Sequence, residues 1–176
     1  SDNGPAIEPW PDAGYSPFRG GIGGTWEGSV RVPGIVYWKD MIPAGQIADG
    51  LFDLADLFNT AVAMAQAEDQ LPSDRYIDGI DQTSFLLADD HLSNRKYIYY
   101  WLREVYSALR VAEYKFMSAG MSEDEPDVIN PGSSTVLENY KNGKLFNLYL
   151  DPQEQFSFFN RQTFMDNILT DPIIAH

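Results

Sequence analysis

Two stretches of the chain carry residues that could do chemistry, and the first holds Asp2 and Asn3. Carboxylate and amide oxygens are hard ligands of the kind that Ca²⁺ and Mg²⁺ prefer in proteins. Calcium takes about six to eight oxygen ligands, so this pair could form only part of a site. An Asp-Asn-Gly sequence is also an ordinary turn, because its residues tolerate turn geometry and cap their own backbone. Half of a cation site and a plain turn are therefore both open interpretations.

The second stretch is the glycine-dense segment 19–34, which contains Arg19, Ile22, Trp26 and Glu27. Five glycines between residues 20 and 28 allow positive φ angles and a close approach of backbone to a bound group. Glycine-rich segments are also common as plain turns. Glu27 and Arg31 are predicted to hold the loop in place, through backbone amides or each other, rather than to take part in chemistry.

Three further polar residues could belong to a site, namely Asp78, Asp81 and His91. The aspartate pair suggests a metal, but Asx capping of turns explains it better. His91 is the only histidine besides the terminal one, which argues against a histidine-based zinc site or a Ser-His-Asp triad within this chain. It is either an exposed loop residue or part of a substrate entrance.

Composition excludes several classes of partner. The 176 residues carry a net charge of −14, with 12 Lys and Arg against 26 Asp and Glu, and this argues against binding to nucleic acid or to an anionic membrane surface. No cysteine is present, so disulfides and thiolate sites are excluded. No apolar run approaches the roughly 20 residues of a spanning helix.

The elements that position these residues follow from hydrophobic patterning. The pattern predicts a loop at residues 1–31 and a short buried strand at 35–38. It also predicts a helix at 51–68, with its apolar face in the core. The second half changes to strands, predicted at 97–102, 106–111, 113–117 and 144–150. A tight turn near Ala112 or one bent strand could join the second and third runs. A helix is predicted at 159–169.

Several motifs together resemble the sulfatase family (arylsulfatase type, alkaline-phosphatase-like superfamily). They are Ser-Asp-Asn-Gly-Pro at 1–5, Pro-Phe-Arg at 17–19, Thr-Trp-Glu-Gly at 25–28, Arg-Val-Pro at 31–33, Asp-Leu-Ala-Asp-Leu-Phe-Asn-Thr at 53–60 and Leu-Phe-Asn-Leu at 145–148. The resemblance covers nearly the whole chain, but only the C-terminal portion of a sulfatase.

The resemblance implies a fold class of α/β to α+β. Residues 1–90 would be the C-terminal part of the catalytic α/β domain, including its final strand and helix. Residues 91–176 would be a small antiparallel sheet with a packed C-terminal helix. It also implies that Asp2 and Asn3 are ligands of an active-site Ca²⁺ (or Mg²⁺), a cation that this chain alone is not expected to retain.

At one position the sequence departs from the family. Sulfatases usually carry a sulfate-binding lysine where this chain has Ile22, which offers no charge or hydrogen-bond donor. Arg19 is the candidate replacement, and His91 is the second candidate for contacting substrate.

The resemblance predicts a sulfuric ester hydrolase whose formylglycine nucleophile, made from a Cys/Ser-x-Pro-x-Arg motif, is absent from this chain. The chain alone is therefore predicted to be inactive, with an N-terminal catalytic half as its partner and a sulfate ester as the substrate of the parent enzyme. The alternative is a non-catalytic structural or oligomerisation module. Without that N-terminal half, the apolar face of the 51–68 helix and the 35–38 strand would be exposed, which predicts self-association. The family suggests a periplasmic or secreted protein.

Overall fold

The computed structural model describes residues 1–6, 14, 16–121 and 137–158. Its contacts divide the chain into two compact units. The sheet unit comprises the described residues of Ser1–Gly34 and Tyr99–His176, and the second unit comprises Ile35–Ile98. The first 34 residues thus group with the sheet. The division at residues 90 and 91 concerns the domains of a longer protein and stays a prediction.

A four-stranded antiparallel sheet is the main regular element of the described residues. The strands lie in the order β1-β2-β3-β4, with bounds Tyr97–Leu102, Val105–Val111, Tyr114–Met121 and Leu137–Asn147. A tight turn joins β2 to β3, since Val111 pairs with Tyr114 and Ala112 has a φ of 50°. The antiparallel sheet confirms the predicted fold class. The pairing of Val111 with Tyr114 shows that a tight turn, and not one bent strand, joins the two runs.

The later strand bounds differ from those predicted. β3 continues to Met121, and β4 begins at Leu137 and ends at Asn147 rather than at residue 150. The Asn147 side-chain oxygen accepts hydrogen bonds from the backbone N–H groups of Tyr149 and Leu150, which turns the chain out of the sheet. The helix predicted at 159–169 lies outside the described residues.

The described residues form three short α-helices, α1 (Glu27–Val30), α2 (Asp56–Met64) and α3 (Thr83–Leu87). The helix predicted at 51–68 is shorter than predicted. It is α2, Asp56–Met64, and its buried residues are the polar Asp56 and Thr60. Leu54 and Phe58, predicted to belong to the core, are 50% and 53% exposed. The face is therefore partly exposed in this chain, as expected without the N-terminal half, and its burial in the parent protein stays a prediction.

The short buried strand predicted at 35–38 is also wrong. The four residues form no ladder with any described segment, and Ile35 and Tyr37 are 94% and 84% exposed. A strand exists only through hydrogen bonds to a neighbouring strand. Apolar, β-branched and aromatic residues at this position therefore form no strand among the described residues of this chain.

A buried ion pair organises the second unit instead. The Asp56 carboxylate accepts hydrogen bonds from Arg95 Nε at 2.8 Å, from Arg95 Nη2, and from the Ile80 N–H at 2.8 Å. Gln82, fully buried, donates to the same carboxylate at 3.3 Å. Burial alone would raise the pKa of Asp56, but the Arg95 hydrogen bonds and two backbone N–H donors hold it below its ordinary value. The pair thus joins α2 to the segments around residues 80 and 95.

Replacing Asp56 with Asn should lower the free energy of unfolding by about 3–5 kcal/mol, because Arg95 keeps its buried charge and loses its counter-charge. Urea unfolding at pH 7, followed by circular dichroism, measures the change. Asp74→Asn is the matched control, since Asp74 and Arg75 form an ion pair that is 68% exposed on both sides. Equal stability of D56N and D74N would contradict this account of the second unit.

Candidate functional site

The glycine-dense loop ends in a short helix rather than running directly into a strand. This helix is α1, Glu27–Val30, and its first residues fold back on the preceding loop. The Gly28 N–H donates to the Arg19 carbonyl at 2.7 Å. A Cβ atom on Gly28 would lie 2.4 Å from that same oxygen, so only glycine fits this contact. The loop is therefore closed by its own backbone.

The Asp-Asn-Gly segment packs against α1. The Gly4 N–H donates to the Ser29 carbonyl at 2.9 Å, and the Ile22 N–H donates to the Pro5 carbonyl at 2.9 Å. Asp2 is exposed and Asn3 is half-buried, with the Asn3 amide donating to the Gly4 carbonyl at 2.9 Å. The two stretches that sequence reasoning singled out, about 20 residues apart, thus lie side by side.

A buried carboxylate joins this loop to the sheet. Glu27 is 1% exposed, and its carboxylate accepts a hydrogen bond from the Tyr100 hydroxyl at 2.7 Å and one from Arg110 Nη1 at 2.8 Å. Lys115 Nζ lies 3.3 Å from the same carboxylate and donates to the Thr25 carbonyl at 2.6 Å. Glu27 does hold the loop, as predicted, but it does so through three side chains of β1, β2 and β3.

A second buried carboxylate, Glu154, completes the group. Its Oε2 accepts the backbone N–H of Glu27 at 2.7 Å, and its Oε1 lies 2.8 Å from Lys115 Nζ. We call the set Glu27, Tyr100, Arg110, Lys115 and Glu154 the Glu27 cluster. Two carboxylates face two cations in it, which is the balance that buried charges require.

Electrostatics of the Glu27 cluster favour an ionised Glu27. Burial would raise the pKa of Glu27, but Lys115, Arg110 and the Tyr100 hydroxyl together hold it below its ordinary value of 4.5. For Glu154 burial dominates and raises the pKa despite the Lys115 charge. Burial beside Glu27 raises the pKa of Tyr100 well above 10. Enclosed and balanced in charge in this way, the cluster supports the loop rather than transferring protons.

Arg19 is held by aromatic and backbone contacts. Its guanidinium carbon lies 3.7 Å from the centre of the Trp26 ring, and its Nη1 donates to the Glu154 carbonyl at 3.2 Å. Trp26 in turn packs edge-on against Phe146 of β4, with ring centroids 6.0 Å apart. Ile22, at the position of the family lysine, is half-buried and supplies only its backbone to the contacts described above.

His91 belongs to the second unit, whereas Arg19 belongs to the sheet unit. Its ring nitrogens lie 3.0 Å from the Gln46 side-chain oxygen and 3.2 Å from the Phe85 carbonyl. The residue is half-buried rather than fully exposed, and its backbone is left-handed with a φ of 46°. Its proposed contact with substrate stays a prediction.

Of the Asp78 and Asp81 pair, Asp81 has the turn-capping role predicted for both. Asp81 Oδ1 accepts the Thr83 N–H at 2.8 Å and the Thr83 hydroxyl at 2.6 Å, at the start of α3 (Thr83–Leu87). The Asp78 backbone carbonyl accepts a hydrogen bond from Arg95 Nη2 at 2.9 Å. Among the described residues, no group of three or more His, Cys, Asp and Glu side chains could hold a metal ion.

Sequence reasoning missed Lys115, Arg110 and Glu154. A signal was present, because Arg110 and Lys115 are each the one charged residue of the strand that contains them. A long cation inside such a strand indicates a buried partner of opposite charge.

Comparison with known proteins decides the family. A sulfatase family model matches residues 1–67. An N-acetylgalactosamine-6-sulfatase from Canis lupus familiaris is 34% identical over 170 residues, which cover 89% of this chain and 32% of that protein. The crystal structure of the PsFucS1 sulfatase from Pseudoalteromonas sp. superimposes with a TM-score of 0.89 at 45% identity, covering 100% of this chain and 35% of that one. The chain belongs to the sulfatase family.

A steryl-sulfatase from Rattus norvegicus is 38% identical over 92 residues, which cover 52% of this chain and 16% of that protein. This sulfatase chain spans about a third of the length of the N-acetylgalactosamine-6-sulfatase that it matches, at 32%. Its sheet corresponds to the C-terminal region of the sulfatase fold. Within the described residues, no helix is both long and apolar enough to cross a membrane.

The depressed pKa of Glu27 makes its contribution to stability dependent on pH. Glu27→Gln should lower the free energy of unfolding by about 3 kcal/mol at pH 7, because Lys115 and Arg110 lose a counter-charge. As the pH falls below 4.5, the ordinary value for Glu, wild-type Glu27 becomes protonated and the difference between the two proteins should shrink. Urea unfolding between pH 7 and pH 3 measures both.

Glu154→Gln is the matched variant, because the pKa of Glu154 is shifted in the opposite direction. The stability of E154Q relative to wild type should increase as the pH rises above 4.5. A wild-type advantage over E27Q that stays constant from pH 7 to pH 3 would contradict the assignment of an ionised Glu27.

Proposed function

We propose that the intact protein is a sulfuric ester hydrolase and that this chain supplies one wall of its active site. The observation that carries the proposal is the contact between the Asp-Asn-Gly segment and α1, through the Gly4 N–H and the Ser29 carbonyl at 2.9 Å. It brings candidate cation ligands next to the loop that carries Arg19, although the two motifs are separate in sequence. Family membership and the 45% identity to a solved sulfatase support the same conclusion.

Asp2 and Asn3 would hold the divalent cation, Ca²⁺ or Mg²⁺. They fit the role chemically, because Asp2 exposes its carboxylate and the Asn3 amide nitrogen is engaged with the Gly4 carbonyl, which leaves the amide oxygen to act as a ligand. The bound cation would polarise a sulfuryl oxygen as a Lewis acid. Two oxygen ligands are too few for calcium, so this proposal places the remaining ligands outside the chain.

Arg19 would recognise the anionic part of the substrate in place of the family lysine. Its contact with Trp26 uses the flat face of the guanidinium, whereas the N–H donors lie at the edge of that group. A guanidinium edge matches the geometry of paired anionic oxygens. The name of the N-acetylgalactosamine-6-sulfatase relative suggests a sulfated carbohydrate as the substrate class.

The nucleophile would lie outside this chain. Formylglycine arises from Cys or Ser in a Cys/Ser-x-Pro-x-Arg motif, and the 176 residues contain neither a cysteine nor that motif. We therefore expect that this chain alone turns over no substrate. Its partner would be a complementary N-terminal catalytic half. A periplasmic or secreted location is part of the same proposal.

Replacing Asp2 with Ala in the full-length protein should lower hydrolysis of a sulfated monosaccharide at least about hundredfold, because loss of a cation ligand removes several kcal/mol of transition-state stabilisation. Asp89→Ala, which removes an exposed carboxylate in the second unit, is the control and should leave the rate unchanged. Calorimetric titration of Ca²⁺ into this chain alone should give no saturable binding. Full activity of D2A in the full-length protein would exclude Asp2 as a ligand.

A second candidate function, a structural or oligomerisation module, is favoured by the exposed apolar residues of the second unit. Ile35 is 94% exposed and Ile47 is 85% exposed, and Leu57 and Phe58 of α2 are about half exposed at 51% and 53%. Where exposed apolar residues form a large patch, that patch usually marks an interface. A non-catalytic module would use it to bind a second copy of the chain.

Self-association of this chain should be visible by analytical ultracentrifugation at micromolar concentration, because exposed apolar surface favours burial between copies. Phe58→Ser should shift the sedimentation coefficient towards that of the monomer. Tyr149→Ser, at a 70% exposed position of the sheet unit, is the control and should not. A wild-type chain that sediments only as a monomer would overturn the module hypothesis.

A further inference from the structure

Lys115 is an unusual residue in this sheet, because its ammonium group is buried completely. The side chain is 0% exposed, and Nζ lies 2.8 Å from Glu154 Oε1 and 3.3 Å from Glu27 Oε1. It also donates to the Thr25 carbonyl and lies 4.3 Å from the centre of the Tyr100 ring. Taking an ammonium out of water is costly, so each of these contacts is needed to keep it there.

Glu154 is the partner whose backbone is unusual. Its φ is 52°, a left-handed conformation that is uncommon for residues other than glycine. The Glu154 N–H donates to the Asp151 carbonyl at 3.1 Å, and its carboxylate is tied to Lys115 and to the Glu27 N–H. A strained backbone persists only where surrounding contacts hold it. Among the contacts that hold Glu154, the one with Lys115 is an ion pair.

The backbone of Glu154 then fixes Arg19. Arg19 Nη1 donates to the Glu154 carbonyl at 3.2 Å, while the guanidinium rests on Trp26. The direction in which that carbonyl points depends on the φ and ψ angles of Glu154 and of its neighbour. A change in the Glu154 backbone would therefore move an acceptor that helps to orient the Arg19 guanidinium.

We propose that Lys115 is a positioning residue, which fixes Arg19 over Trp26 by holding Glu154 in its left-handed conformation. Lys115 does not touch the substrate in this scheme. It acts through Glu154 and orients the cation that lies in the loop. The consequence for substrate binding rests on the proposed function, whereas the effect on Arg19 does not.

The spectroscopic test uses the ring current of Trp26. In this chain, labelled with ¹³C and ¹⁵N, the Arg19 side-chain protons should be shifted upfield, because the guanidinium lies 3.7 Å from the ring centre. Lys115→Met should abolish this shift, and Lys115→Arg, which keeps the charge, should retain most of it. Lys144→Met is the matched control, because Lys144 lies over Tyr140 of the same sheet and should leave the Arg19 shift unchanged.

Should K115M fail to fold, Glu154→Gln removes the same ion pair with a nearly isosteric side chain, and it should reduce the Arg19 shift by at least half. An unchanged Arg19 shift in folded K115M or E154Q would overturn the proposal.

In the full-length enzyme, K115M should raise KM for a sulfate ester about tenfold, because one hydrogen-bonded charge contact loses its orientation. The value of kcat should stay near that of wild type, since binding of substrate and of transition state weaken together. A fall in kcat without a change in KM would count against a positioning role. If the wild-type enzyme hydrolyses no sulfate ester, the proposed function fails, and the Arg19 shift still decides the role of Lys115.

Discussion

The loop and the sheet are joined by a balance of charge in a place that excludes water. Glu27 and Glu154 are both about 1% exposed, and Arg110 and Lys115 are the cations that compensate them. Removing any one of the four leaves an uncompensated charge in the interior. This requirement fixes the position of α1 on β1, β2 and β3. It also fixes Trp26, the neighbour of Glu27 in the chain, which packs in the core against Phe146.

The second unit uses the same kind of interaction. Asp56 and Arg95 are buried together, and Gln82, Ser93 and backbone N–H groups satisfy the remaining hydrogen-bonding capacity. The apolar residues of α2 and of 35–38 contribute little to this interior, since many of them face solvent. The second unit is therefore held together in large part by polar contacts that need defined geometry. The sheet unit adds a core of buried apolar side chains, among them Leu109, Met117 and Phe146. Polar contacts specify a single arrangement more strictly than apolar burial does.

Much of the sheet could be predicted from the sequence, because aromatic and β-branched runs separated by turn residues indicate strands whatever lies around them. The bounds of β1 were predicted correctly for this reason, and the turn at Ala112 was one of two predicted alternatives. Burial could not be predicted in the same way. The pattern of Leu54 and Phe58 indicates an apolar face, but whether that face is covered depends on segments that the local pattern does not contain.

The candidate site was predictable only in part. Asp2, Asn3 and Arg19 could be singled out by residue type and motif. Their support by Lys115 and Glu154 depends on contacts between residues far apart in the chain, and no local spacing encodes these. Glu154, in a turn after β4, carries no pattern of its own.

These distant contacts also order the events of folding. The hydrogen bond between the Glu27 N–H and the Glu154 carboxylate spans 127 residues, and that between Arg19 and the Glu154 carbonyl spans 135. Contacts of such high sequence separation form late, since a long loop must close first. During synthesis from the N-terminus, the Arg19 loop therefore emerges long before the residue that anchors it. The loop acquires its final form only when nearly all of the described chain has left the ribosome, so the completion of the loop reports on the completion of the sheet.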